Sequence, residues 1–177
     1  MQKTPLPRAL DTELERTSKR PDEARRWARA LLDAREAGDD AAAYRAALRA
    51  KQAAPRSTRV RQMLGGAAFA LGKWHEAAQE LLAYRRLTDD RSVDPTIAEC
   101  YRREQRPGRA LEFLADLRRA DVAPATWVRA QTVKARALAD NGRAEVATSV
   151  LESLRIVTPA GEADREALAL LAELRAP

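Results

Sequence analysis

Apolar residues recur along this chain at the three- and four-residue spacing of a single helix face. The stretch LGGAAFALGKWHEAAQELL, residues 64–82, carries the start of the pattern, which puts Ala77, Leu81 and Tyr84 on one stripe with polar residues between them. The same stripe opens at Ala43, Ala77, Ala110 and Ala147, in steps of 34, 33 and 37 residues. Four residues after each anchor come Ala47, Leu81, Leu114 and Leu151, and three further on Ala50, Tyr84, Leu117 and Leu154. Twelve before each anchor stand Leu31, Gly65, Ala98 and Ala135. Three of these are Gly or Ala, so two helices can approach closely there. Gly38, Gly72 and Gly142 stand five residues before their anchors, and glycine tolerates the left-handed conformation that ends a helix. The third unit has Gln105 at that place, so "RPG" is expected to make its turn. Pro55 and Pro159 follow the first and last anchors by twelve and are expected to end a helix each. Each unit therefore predicts a helix, a tight turn and an antiparallel helix. Asp39-Asp40 and Asp89-Asp90 fall at turns, where Asp caps helix N-termini.

Four such units resemble the tetratricopeptide repeat family, whose roughly 34-residue pattern runs small residue, aromatic, turn Gly, aromatic, Ala, large apolar residue and closing Pro. The second unit, about 58–91, matches through Leu64, Gly65, Gly72, Trp74, Ala77 and Leu81. The first, about 24–57, supplies Trp27, Gly38, Ala43 and Pro55. The third, about 91–124, matches at Ala98, Tyr101, Ala110 and Leu114, and the fourth, about 128–161, at Ala135, Gly142, Ala147, Leu151 and Pro159. Ala34 and Ala68 depart from the pattern where an aromatic is usual, and Lys134 where Leu is usual. The resemblance implies an all-α, right-handed α-solenoid of about four repeats across 24–161. Residues 162–177, with Ala163, Ala167, Leu170, Leu171 and Leu174 on one side, are expected to form a C-terminal capping helix. Residues 1–23 are left as either an N-terminal arm or a short capping helix around Leu10 and Leu14.

Composition adds to this picture. The 177 residues are 45% hydrophobic and 33% charged, enough to bury a core and stay in solution, and only 5% aromatic. Ala, Leu and Arg dominate, which favours helix. The net charge is +6, and all cations but Lys3, Lys19, Lys51, Lys73 and Lys134 are Arg. Two readings of that bias stand: the codon usage of a GC-rich, bacterial-type genome, or a surface that grips carboxylate or phosphate. Cys100 is the single cysteine, which rules out an intramolecular disulfide and fits a buried thiol in a reducing compartment. "MQKTPLPRAL" has no apolar signal-peptide core, and no apolar run nears the roughly 20 residues of a membrane span. A cytoplasmic protein without membrane partners is expected.

No catalytic, metal or cofactor site is expected. His75 stands alone as an exposed spacer, the Asp pairs serve as caps, and Gly65-Gly66 lies within a helix and lacks the Lys-Ser/Thr of a phosphate loop. The expected function is non-enzymatic binding. In the family the first helix of each unit lines a concave groove. Carried over, that gives Arg25, Ala28, Leu32, Arg35 and Glu36, then Arg59, Gln62, Gly66, Phe69 and Ala70. The third unit adds Ser92, Pro95, Glu99, Arg102 and Arg103, and the fourth Arg129, Thr132, Arg136, Ala139 and Asp140. Seven arginines face three acids, so the expected partner is an acidic peptide or protein surface. The partner-binding set is Arg25, Arg35, Arg59, Gln62, Phe69, Arg102, Arg103, Arg129 and Arg136. Two other readings stay open: an RNA- or nucleic-acid-binding helical repeat, and the regulatory subunit of an enzyme. Oligomeric state is left undetermined.

Overall fold

The computed structural model describes residues 5–176, and every regular element among them is helical. Five α-helices lie in a first compact unit, Met1–Asp89: α1 Arg8–Thr17, α2 Pro21–Glu36, α3 Asp40–Ala53, α4 Thr58–Ala70 and α5 Trp74–Thr88. Five more lie in a second, Asp90–Pro177: α6 Asp94–Arg103, α7 Pro107–Leu114, α8 Pro124–Asp140, α9 Ala144–Glu152 and α10 Glu162–Arg175. Single 3-10 turns precede α6 at Arg91–Val93 and α8 at Arg119–Asp121.

The helix starts follow from local chemistry. Pro21, Pro95, Pro107 and Pro124 sit in first turns, where a missing N–H leaves nothing unpaired. Asp39 caps α3, its Oδ1 accepting the Ala42 N–H at 2.8 Å, and the Ser57 hydroxyl accepts the Val60 N–H at 3.2 Å to cap α4. Asp90 caps the 3-10 turn, accepting from Ser92 N–H at 2.9 Å. Its neighbour Asp89 does the opposite of what the sequence suggests: it ends α5 in the left-handed region at φ 54°.

Four turns share one geometry. Gly38, Gly72 and Gly142 have φ of 71°, 70° and 72°, and the next residue's N–H returns to a carbonyl five back. These bonds are Asp39 to Ala34, Lys73 to Ala68 and Arg143 to Leu138, each 2.9 Å. In the remaining turn Gln105 itself takes φ 59°, and Arg106 N–H closes on Tyr101 at 3.0 Å. The expectation that "RPG" would form this turn is corrected: Pro107 and Gly108 already belong to α7. Pro159 is corrected too, since α9 stops at Glu152 and Arg155, at φ 51°, turns the chain well before it.

Each short turn folds its two helices back on one another, so α2 packs on α3, α4 on α5, α6 on α7 and α8 on α9. The anchors Ala77, Ala110 and Ala147 are fully buried and Ala43 almost so. In the first unit α1 lays Leu10 and Leu14 on Ala24, Ala28, Ala50, Ala53, Ala54 and Val60. A neighbouring cluster joins Leu31, Ala46, Ala47, Leu64 and Ala67. Gly65 lets α4 and α5 touch, because a Cβ there would stand 2.6 Å from Leu81 Cγ. In the second unit α10 closes the core of α8 and α9, with Ala167 and Leu170 against Ala135, Leu138, Ala147 and Leu151. Arg91 staples the start of this unit, reaching the buried Asp94 at 3.0 Å, Asp116 at 2.9 Å and Asp121 at 3.2 Å. No helix among the described residues is long and apolar enough to cross a membrane.

Candidate functional site

The nine residues assigned to partner binding divide between the two units and differ sharply in how free their side chains are. In the first unit Arg25, on α2, is held by three carboxylates. Its Nε donates to Asp11 at 2.6 Å, its Nη2 to Glu15 at 2.5 Å and its Nη1 to Asp22 at 3.2 Å. The bond to Asp11, then that to Glu15, raise its pKa above the ordinary arginine value. Asp11 and Glu15 are one turn apart on α1, so α1 grips α2 by a charge clamp. Ala28, expected in the groove, lies instead at the bottom of the α1 seat with no exposure.

Arg59 stands at the first turn of α4, its Nε 3.4 Å from Glu13 of α1. The Glu13 side chain is nearly buried and also accepts from Thr58 N–H at 2.5 Å, Thr58 Oγ1 at 3.0 Å and Arg59 N–H at 3.4 Å. It is thus an anion on a helix N-terminus, where free N–H groups and the dipole favour negative charge. Phe69 is half-buried and packs edge-on against Trp74, with ring centroids 5.1 Å apart. Gln62 is half-buried on α4, and Arg35 is exposed at the end of α2 with no ion pair among the described residues.

In the second unit Arg102 is only 15% exposed. It donates twice to Glu99, at 2.7 and 2.8 Å, and once to Asp140 of α8 at 2.8 Å. This fork raises its pKa, with Glu99 the main cause. Arg103 adds a bond to Glu99 at 2.8 Å while staying half exposed. Burial by itself would raise the Glu99 carboxyl, but the two guanidinium groups outweigh it and hold it below the usual value. Pro95, Glu99 and Thr132, all expected on the groove, are buried, and the Thr132 hydroxyl turns back to Val128 O at 2.9 Å. Arg129 and Arg136 on α8 have no ion pair among the described residues, Arg129 exposed and Arg136 partly so.

The seven arginines expected to face a partner thus differ in what they already hold. Arg25 and Arg102 are committed to internal carboxylates, Arg59 and Arg103 are shared, and Arg35, Arg129 and Arg136 keep their forks open. The acids that matter most were missed. Asp11, Glu13 and Glu15 flank the Leu10–Leu14 stripe in "ALDTELER", and that alternation is the one signal that could have pointed to them.

Elsewhere charge is spent on holding helices together. Glu80 of α5 takes both Lys51 of α3 and Arg61 of α4, and the Tyr44 hydroxyl donates to Glu76 at 2.6 Å. That bond is the main reason the Tyr44 pKa is pushed up to about 12. Cys100 is buried, and burial, then the charges of Glu104 and Glu99, push its thiol up to about 12. His75 is exposed, its Nε2 at 2.9 Å from the Gln79 amide. Among the described residues no group of three or more His, Cys, Asp or Glu is placed to hold a metal ion. Neither a family model, nor a curated protein, nor a solved structure matches the chain.

Proposed function

We propose that this chain is a non-enzymatic interaction module built on tetratricopeptide-type helix pairs, and that it binds an acidic peptide or protein surface through arginine. One observation carries the reading. The left-handed turn residue recurs at 38, 72, 105 and 142 with the same closing hydrogen bond, each five residues before a buried alanine. A motif repeated in both sequence and turn geometry stacks helices for a surface rather than assembling a reaction centre. The ligand class follows from the guanidinium groups left open at Arg35, Arg129 and Arg136, since such forks match carboxylate oxygens in pairs. The carboxylates that Arg25 and Arg102 already hold within the chain support the same chemistry.

The test is charge reversal confined to the second unit. Arg129→Glu with Arg136→Glu should abolish binding of fluorescent Asp/Glu-rich peptides, whereas Arg119→Glu with Arg165→Glu should leave it unchanged. Arg102 is unsuitable for this purpose because its loss would strand the buried Glu99. Equal binding by both double variants would sink the proposal. Tight binding of single-stranded RNA, falling steeply between about 50 and 200 mM salt, would replace it with phosphate recognition.

A further inference from the structure

The contacts of α1 have the form of a bound ligand. Helix α1 is amphipathic in three strips. Leu10 and Leu14 form an apolar seam pressed on α2, α3 and the start of α4, with almost no exposure. On one flank Asp11 and Glu15, one turn apart, hold Arg25 at 2.6 and 2.5 Å. On the other, Glu13 sits on the α4 N-terminus and beside Arg59. Arg25 and Arg59 are two of the arginines assigned to an acidic partner, and here their acidic partner comes from the same chain.

We propose that the seat of α1 is itself an interaction surface, that the partner it fits is an acidic amphipathic helix of another protein, and that α1 is its resident competitor. The proposal rests on the functional reading above and names the partner's form: two leucine-like residues four apart, with carboxylates at the positions α1 uses. Charge complementarity fixes the sign, since a basic helix would meet Arg25 and Arg59 directly. The seam marks the register: Leu10 and Leu14 are both buried while Glu13, between them, reaches the Thr58 N–H. The attachments of α1 suit exchange. It is the shortest α-helix of its unit among the described residues, Pro7 offers it no side-chain cap, and the Asp11 and Glu15 side chains are 47% and 61% exposed. Ser18–Arg20 connects it to α2, and Pro21 keeps the two from merging into one helix.

Two measurements on the full chain decide it. Hydrogen exchange followed by mass spectrometry should show the amides of α1 exchanging at least tenfold faster than those of α3. A fluorescein-labelled peptide of residues 5–19 should bind the full chain saturably. It should bind several-fold more tightly when the chain carries Asp11→Asn and Glu15→Gln, because its tethered competitor is weakened. The same two substitutions placed in the peptide should weaken it. If α1 exchanges only together with α2 and α3, or if the peptide binds neither chain, α1 is a fixed part of the core and the proposal fails. Loss of acidic-peptide binding on reversal at Arg129 and Arg136 would in that event still uphold the broader reading, so the two failures are distinguishable.

Discussion

Gly65→Ala tests the packing of α4 on α5 with a single carbon atom. Three effects compete. An alanine within a helix gains about 1 kcal/mol over glycine, and burying its methyl group adds about 0.8 kcal/mol. Against these stands steric overlap. The new Cβ would lie 2.6 Å from Leu81 Cγ and 2.8 Å from its Cδ2, well inside the roughly 3.5–4.0 Å of a favourable carbon contact. Leu81 is 3% exposed and has no solvent to swing into, and the Ala77 carbonyl oxygen stands 3.4 Å away on the other helix. Relief therefore requires the two helices to part, and overpacking of this kind costs about 1–3 kcal/mol once the gains are absorbed. Gly66 is the control. It is exposed in the same helix with nothing within 4 Å of its Cβ position, so Gly66→Ala should stabilise by about 1 kcal/mol. The expected gap between two adjacent substitutions is at least about 2 kcal/mol, read from urea unfolding followed by circular dichroism. Truncating Leu81 should be worth at least about 1 kcal/mol less damage in the Gly65→Ala background than alone. If Gly65→Ala raises the midpoint as Gly66→Ala does, the close approach of α4 and α5 is wrong.

Other expected outcomes follow from single residues. Gln105→Gly should stabilise by roughly 0.5–1 kcal/mol in urea, since it removes the left-handed penalty of a side chain, a gain that the greater unfolded-state entropy of glycine only partly offsets. Gly142→Ala should instead lose about 1 kcal/mol although its surroundings are open. Glu99 has a folded pKa below its unfolded value, so its contribution is present above about pH 4.3 and is lost as pH falls through the lower folded value. Thermal melts from neutral to acidic pH should show the loss, and Glu99→Gln should flatten that limb while lowering stability at neutral pH. Cys100, with its thiol pushed up to about 12, should resist iodoacetamide at pH 8 in the folded chain and react promptly in urea. Rapid native labelling would contradict its burial. Ala110→Leu should cost about 1–3 kcal/mol by overpacking a fully buried site, while His75→Ala should be close to silent in the same melts.

The helix pairs were legible because both their signals are local. A stripe such as Ala77, Leu81 and Tyr84 needs only a 3.6-residue period, and a turn glycine needs only its own φ. Gln105 broke the second rule: the turn geometry was imposed by the helices on either side, and a residue other than glycine bears the strain. Residue type also revealed the sign of the charge but not which arginines remain open. That depends on carboxylates brought from far along the chain, as Glu13 reaches Arg59 across 46 residues and Asp140 reaches Arg102 across 38. Position within a repeat said that Glu99 and Thr132 belong to a first helix. It could not say that their side chains are buried among their neighbours.

The distance between α1 and its seat also has a meaning in time. Glu13 bonds to Thr58, 45 residues later in the chain, and Leu10 and Leu14 rest in part on Ala53, Ala54 and Val60. A growing chain lengthens by about 5–20 residues per second, so α1 is made roughly 2–9 s before its seat is complete. A ten-residue helix alone in water is marginal, and for those seconds two leucines and three carboxylates stay unsheltered while α2 and α3, joined by one tight turn, can already pair. Helix α1 thus waits for its seat, and whatever meets the chain in that interval meets its two leucines and three carboxylates uncovered.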